Sequence, residues 1–291
     1  MAEQPLISIV MSTFREVADA PKKDGIGSSL ALAIESVRHQ SYETWELHIV
    51  ADHPPEEDLE AARHLVESLD DERIHFTNLP AWGGLDFPGF DAKIAGVEAA
   101  RGELLAFLDA DNEWKPRVLE RAVEAFSGDD TLDLVYSDTL FRLHQREDLL
   151  PLRIFPLYQL FGPAVGESFV WRKPDWDSRA RRQMERLNFI DTSDAVVRRE
   201  SYDACGGLQR KDNLDWNLWK AMVAAGRDHF LRIPHVGTLY RTASLEQHRE
   251  LMAVQWAEFL DLPFDLEDHR TRTKEDFVAH HREKHLAGSQ P

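Results

Sequence analysis

The chain has 291 residues, 43% of them apolar, enough to bury the core of one large α/β domain or two small ones. The 52 acidic residues against 34 basic ones give a formal net charge of −18, which excludes nucleic acid and strongly anionic membranes as main partners. The lone Cys205 excludes an internal disulfide and a Cys-rich metal site and fits a reducing compartment. No apolar run is long enough for a transmembrane helix, and Met1-Ala2-Glu3-Gln4 lacks the basic start of a signal peptide, so the expectation is a soluble cytoplasmic protein.

In chain order, Leu6–Met11 reads as a first buried strand that ends in the polar loop Ser12-Thr13-Phe14-Arg15-Glu16. Ser28 or Ser29 then caps a helix through Leu30, Ala33, Ile34 and Val37. Trp45–Val50 is a second strand ending at Ala51-Asp52, Glu56–Leu69 a helix with a charged face, and Ile74–Thr77 a third strand. Strand and helix in alternation mean a parallel sheet with right-handed crossovers, hence an α/β fold.

Asn78–Phe90, rich in Pro and Gly, reads as a loop, and Asp91–Ala100 as a helix carrying Lys93. Leu104–Leu108 is a short apolar run, a strand buried on both faces, that leads directly into Asp109-Ala110-Asp111. A helix through Val118–Phe126 and a strand at Leu132–Ser137 follow. Residues 147–176 turn proline- and aromatic-rich, which predicts loops and short helices over one face of the sheet. A strand is expected from Asn188 to Arg199, a short helix from Ser201, and a helix entered at Asp215. Two short strands, Phe230–Ile233 and Gly237–Arg241, precede a charged, mostly helical stretch from Ser244.

Three strand ends carry polar groups: Thr13 with Glu16, Asp52, and Asp109 with Asp111. In a parallel sheet all three lie on one edge, where open α/β sheets bind ligands. Asp109 and Asp111, at i and i+2, point the same way in an extended chain and can share one hard cation such as Mg²⁺ or Mn²⁺ with substrate phosphates. Asp52 can accept from a base N–H, and Lys93 can add positive charge to a diphosphate. Plainer alternatives stand beside these: a polar turn for Asp109–Asp111, a turn cap for Asp52, and a helix N-cap for Asp215, whose other reading is a general base. His235 is a candidate third metal ligand, the arginines at 179–186 a solvated helix face, and Cys205 a packing residue.

Several ordered blocks resemble inverting glycosyltransferases of family 2: Pro5–Glu16 with the opening strand and turn, Ser36–Leu47 with the following helix end and strand, and Ala92–Asp111 with Trp114 and Pro116. Asp215-Trp216-Asn217-Leu218-Trp219 and Tyr240-Arg241 resemble the family's late helix and Tyr-Arg pair. The resemblance implies a GT-A fold, a Rossmann-like mixed, mainly parallel sheet flanked by helices. It would occupy residues 1–243, a nucleotide-binding half to about 115 and an acceptor half to 243, with a helical extension over 244–291. It implies a nucleotide-sugar site of Thr13, Phe14, Glu16, Asp52, Lys93, Asp109, Ala110 and Asp111, a Mn²⁺ or Mg²⁺ ion on Asp109 and Asp111, and Asp215 as catalytic base. The implied donor is a UDP-sugar, with a GDP-sugar as the second choice, and the acceptor is a hydroxyl of unspecified identity; self-association stays open. The chain departs from the family pattern at Arg15, Ala51, Ile94 and Leu214. The rival readings are a nucleotidyltransferase, a phosphatase with an Asp-x-Asp strand end, and a sugar-nucleotide-binding protein without transfer.

Overall fold

The computed structural model describes residues 4–13, 29–81, 89–142, 168–210 and 214–241. Phe14, Glu16 and the expected helical extension over 244–291 lie outside them. The first half of the chain alternates as expected: β1 (Ile7–Thr13), α1 (Ser29–Arg38), β2 (Trp45–Ala51), α2 (Glu56–Ser68), β3 (Ile74–Asn78), α3 (Phe90–Ala99) and β4 (Leu104–Phe107). There follow β5 (Glu113–Trp114), α4 (Val118–Gly128), β6 (Leu134–Arg142), β7 (Ser168–Trp171) and α5 (Ser178–Met184). A 3₁₀ turn (Thr192–Asp194), β8 (Ala195–Arg198), α6 (Arg199–Ala204), α7 (Leu214–Ala224) and β9 (Phe230–Arg241) complete the described elements.

All nine strands join one mixed sheet in the order β3-β2-β1-β4-β8-β6-β9-β5, with β7 paired to β6 beside that path. The half β3-β2-β1-β4 is parallel throughout. β8 then enters antiparallel between β4 and β6, and β7 takes over its place along β6 farther up that strand. The sheet is covered on both faces, which is why β1, β2 and β4 read as near-continuous apolar runs. Side chains alternate between the faces. Ile7, Ile9, Met11, Leu104 and Ala106 pack with α1 and α4, whereas Val10, Leu105 and Phe107 pack with α3, α6 and α7.

Two expectations for the second half are corrected. Residues 188–194 are not strand: the Asp191 carboxylate accepts the Ser193 N–H at 2.8 Å and starts a 3₁₀ turn, so β8 begins only at Ala195. The two short strands expected at 230–233 and 237–241 are one continuous β9, because register shifts beside Ser137, Asp138 and Thr139 of β6 absorb Pro234 in a bulge, where a missing N–H costs no ladder bond. Within the irregular region, β7 is an unexpected strand. α5 bears out the solvated arginine face: Arg179, Arg181 and Arg182 are exposed.

The crossover into β4 is held by Ser8, whose hydroxyl accepts the N–H groups of Arg101 at 3.1 Å and Gly102 at 2.7 Å while donating to Glu46 at 2.6 Å. A Cβ at Gly102 would lie 2.6 Å from both Leu6 O and Ser8 N, backbone atoms of and beside β1 that have no room to yield. Gly102→Ala is therefore expected to destabilise the fold by about 1–3 kcal/mol, the usual cost of overpacking, read as a lowered urea midpoint. An unchanged midpoint would show that this crossover is not close-packed.

Candidate active site

The carboxyl ends of β1, β2 and β4 share one edge because the three strands are parallel neighbours. Thr13 ends β1, and its carbonyl accepts the Asp52 N–H at 2.8 Å. Asp52 is only 1% exposed, and its carboxylate accepts the Gly89 N–H at 3.2 Å. Gly89 lies at the N-terminus of α3 with φ of 70°, a conformation that suits glycine. The helix's partial positive end supports the buried carboxylate there. Asp52 thus caps α3.

Past β4 the chain turns through Asp109-Ala110-Asp111, all three half-buried, closed by the Asn112 N–H on Asp109 O at 2.9 Å. Ser193 clamps this turn. Its hydroxyl accepts from Asn112 Nδ2 at 3.2 Å, and its carbonyl from Trp114 Nε1 at 2.7 Å and from Thr238 Oγ1 at 2.9 Å. The clamp brings the 3₁₀ turn, and with it Asp191, to the strand end. β5 pairs antiparallel with β9, Glu113 opposite Leu239, which sets Tyr240 next to the same turn.

Lys93, one turn into α3, is buried with its ammonium 2.8 Å from Asp109 Oδ1. Burial opposes its charge, but Asp109, Asp191 and Asp215 outweigh that and raise its pKa. Asp215 sits in the first turn of α7. One oxygen accepts the Trp216 N–H at 2.8 Å and the other the Asn188 amide at 2.9 Å. Burial still raises its pKa above the ordinary carboxylate range, against those two hydrogen bonds and Lys93. Asp191 is pushed up to about 8, by burial first and then by Asp194, Asp215 and Asp109. Burial and the charges of Asp191, Asp111, Asp109 and Asp215 also push the Tyr240 phenol well above its usual value, so it keeps its proton.

Four carboxylates therefore face one ammonium. Burial first, and then the neighbouring carboxylates, raises Asp191 and Asp215, and a hard divalent cation on carboxylate oxygens would offset both. Asp109 holds Lys93, and Asp111 follows it two residues on in the same turn. The residues present fit the metal that the Asp-x-Asp spacing implied.

The structure thus gathers Lys93, Asp109, Asp111 and Asp215 and places Thr13 and Asp52 on the same edge. Asp191, Asn188, Ser193 and Tyr240 were missed. Reading 188–199 as a strand hid the first three, although two acids three residues apart, Asp191 and Asp194, do not suit a buried strand. His235 does not join the cluster; the charges acting on it are Arg121, Arg117, Asp138 and Lys115, and burial with the three cations lowers its pKa. Cys205 is half-buried, its thiol 3.2 Å from Tyr202 O, which fits packing.

The mixed sheet with helices on both faces matches the GT-A fold of solved glycosyltransferases. The glycosyl transferase family 2 model matches residues 8–206, and the chain belongs to that family. An uncharacterized glycosyltransferase of Nostoc is 35% identical over 108 residues, 37% of this chain and 31% of that protein, so the match spans under a third of the relative's length. Two solved structures share the fold. The mannosyltransferase of Pyrobaculum calidifontis in complex with GDP-Man and Mn²⁺ has a TM-score of 0.56 at 16% identity, over 89% of this chain and 63% of that one. Residues 1–349 of S. aureus TarS in complex with UDP-GlcNAc give 0.56 at 12%, over 90% and 68%.

The raised Asp191 has a measurable consequence. Between its ordinary value of 3.8 and about 8, the folded chain holds a proton that the unfolded chain lacks, so stability falls as pH rises through that window. Asp191→Asn keeps an oxygen for the Ser193 N–H and removes that slope. Melting temperatures without divalent ions should converge near pH 4 and favour the variant near pH 8, estimates that follow from the two ends of the window; parallel curves would overturn the assignment.

Proposed function

We propose that the chain is an inverting glycosyltransferase that moves a sugar from a nucleoside-diphosphate sugar, a UDP-sugar in first place, to a hydroxyl acceptor with a divalent metal bound. The observation that carries this reading is the convergence of Asp109, Asp111, Asp191 and Asp215 around Lys93 at the sheet edge. Asp52, Thr13 and, outside the described residues, Phe14 and Glu16 would line the base and ribose. Asp109 and Asp111, joined by Ala110, would hold Mn²⁺ or Mg²⁺. When bound, that ion supplies Lewis-acid stabilisation of the departing diphosphate. The solved mannosyltransferase with GDP-Man and Mn²⁺ and TarS with UDP-GlcNAc support the ligand class.

Asp215 is the base in this reading. Asn188 and the Trp216 N–H hold its two oxygens in place, and burial raises its basicity toward working pH. It takes the acceptor proton as the acceptor oxygen attacks the anomeric carbon. Lys93 pairs with Asp109 at 2.8 Å and would add positive charge near the phosphates. The nucleotide half to about residue 115 and the acceptor half to 243 belong to the same proposal, as does a cytoplasmic setting; among the described residues no helix is long and apolar enough to cross a membrane.

Asp215→Asn should bind donor as the parent does and lose about 10²–10⁴-fold in transfer, the usual worth of general-base help. Because the Asp215 pKa is raised, kcat/KM should rise with pH through a limb above the ordinary carboxylate range, and the variant should lose that limb. Full transfer by Asp215→Asn would sink the base assignment. Asp111→Ala is expected to abolish Mn²⁺-dependent binding of UDP by calorimetry; tight UDP binding by the parent without any divalent ion would refute the metal role. Slow release of UDP from UDP-sugars in Mn²⁺ separates this reading from a module that binds sugar nucleotides without transfer.

A further inference from the structure

Away from the strand ends, Glu46, His48 and His75 meet on the α3 face of the sheet. His48 of β2 pairs directly with His75 of β3 in parallel register, so both side chains leave the same face. Their rings lie 5.0 Å apart, tilted by 33°. Glu46, two residues before His48, joins them, and one ligand atom from each of the three lies within 4.8 Å of the others. His48 Nε2 is buried and 3.3 Å from Glu46 Oε1, yet it makes no hydrogen bond.

We propose that His48, His75 and Glu46 form a second divalent-metal site, separate from the Asp109–Asp111 pair and selective for a borderline ion such as Zn²⁺. Two imidazole nitrogens and one carboxylate oxygen suit Zn²⁺ and disfavour Mg²⁺. The site needs little rearrangement. Burial lowers the His48 pKa and keeps the ring neutral, as ligation requires. Glu46 is an anion at neutral pH: burial would raise it, but Ser8 and Arg101 outweigh burial and hold it at about 2. Its Oε1 accepts from Ser8 Oγ at 2.6 Å and Arg101 N at 2.7 Å, and its Oε2 takes the Arg101 guanidinium at 2.6 and 2.9 Å. The Arg101 side chain is 72% exposed, so it can swing into solvent and yield its oxygen to the metal. His75 is half-buried, leaving an entry path and a fourth position for water. His48 and Phe107 both pair with Val10 of β1, so the Asp109–Asp111 turn lies two strands across, about 10 Å, and beyond Phe107 along β4, too far for one ion to serve both sites. The metal would staple the edge strand β3 to β2.

The test uses the full chain and Zn²⁺ alone, followed by calorimetry and by the visible spectrum of Co²⁺ as a surrogate. The Asp109→Asn/Asp111→Asn variant, which lacks the hard-oxygen pair, should still bind one Zn²⁺ and show the intense Co²⁺ bands of a tetrahedral nitrogen-containing site. His75→Gln should weaken that binding at least about tenfold, since even indirect support of a ligand is commonly worth that much. It should also abolish the rise in melting temperature on adding Zn²⁺ and leave the circular dichroism spectrum unchanged. His48→Gln should match it. Equal Zn²⁺ binding by His75→Gln and the parent overturns the proposal, as does a Co²⁺ spectrum of the octahedral, oxygen-only type. His75 lies on a partly exposed face, so its variant remains informative even if His48→Gln fails to fold. Neither histidine belongs to the proposed transfer machinery, and failure here leaves that reading untouched.

Discussion

The Lys93–Asp109 ion pair is the contact on which the strand-end cluster depends. It stands where the parallel half of the sheet ends, and the charge of Asp109 acts on Asp191, Asp215 and Tyr240. Lys93 is the cation among the charges that act on Asp215, while Asp191 and Tyr240 feel the carboxylates it leaves uncompensated. Carboxyl groups crowded at a half-buried edge around one ammonium are unfavourable for the fold alone.

The two halves of the sheet are held by different chemistry. The α1 and α4 face of the parallel half is apolar, and its other face also buries Ser8, Glu46 and His48. Beneath the mixed half, β8, β6, β7, β9 and β5, runs a polar network. Lys173 pairs with Asp194, both fully buried, and Asp194 also accepts from Thr139 Oγ1 at 2.8 Å. The Lys173 N–H and the Arg232 guanidinium both bond Asp138, and Arg232 reaches Asp175 at 2.9 Å. A buried pair of this kind contributes little net stability, but removing one partner strands a charge and costs about 3–5 kcal/mol. The network therefore selects one placement for the 3₁₀ turn and, through Ser193, one placement for the Asp109–Asp111 turn.

This division also explains what was legible. Buried parallel strands write themselves as apolar runs that stop at polar residues, so β1, β2, β4 and the edge bearing Thr13, Asp52, Asp109 and Asp111 followed from the residues. Asp215 was placed by its position at a helix start and by family resemblance. Asp191 and Asn188 were invisible because they act through a 3₁₀ turn, whose three residues carry no periodicity. β9 was split because Pro234 reads as a break, and only the matching register shift in β6 shows that it is a bulge. The Lys173–Asp194 pair spans 21 residues and two elements, a distance over which charge pairing leaves no local signature.

Helix α3 is held at two points one turn apart: Asp52 takes the N–H of Gly89 at its entry, and Asp109 takes the ammonium of Lys93. The two acids end different strands, so the helix works as a crossbar between them. A ligand that draws either carboxylate away loosens one fastening of a rigid rod and transfers load to the other. Any ligand that displaced one of these contacts would therefore act on the other through the helix, in both directions.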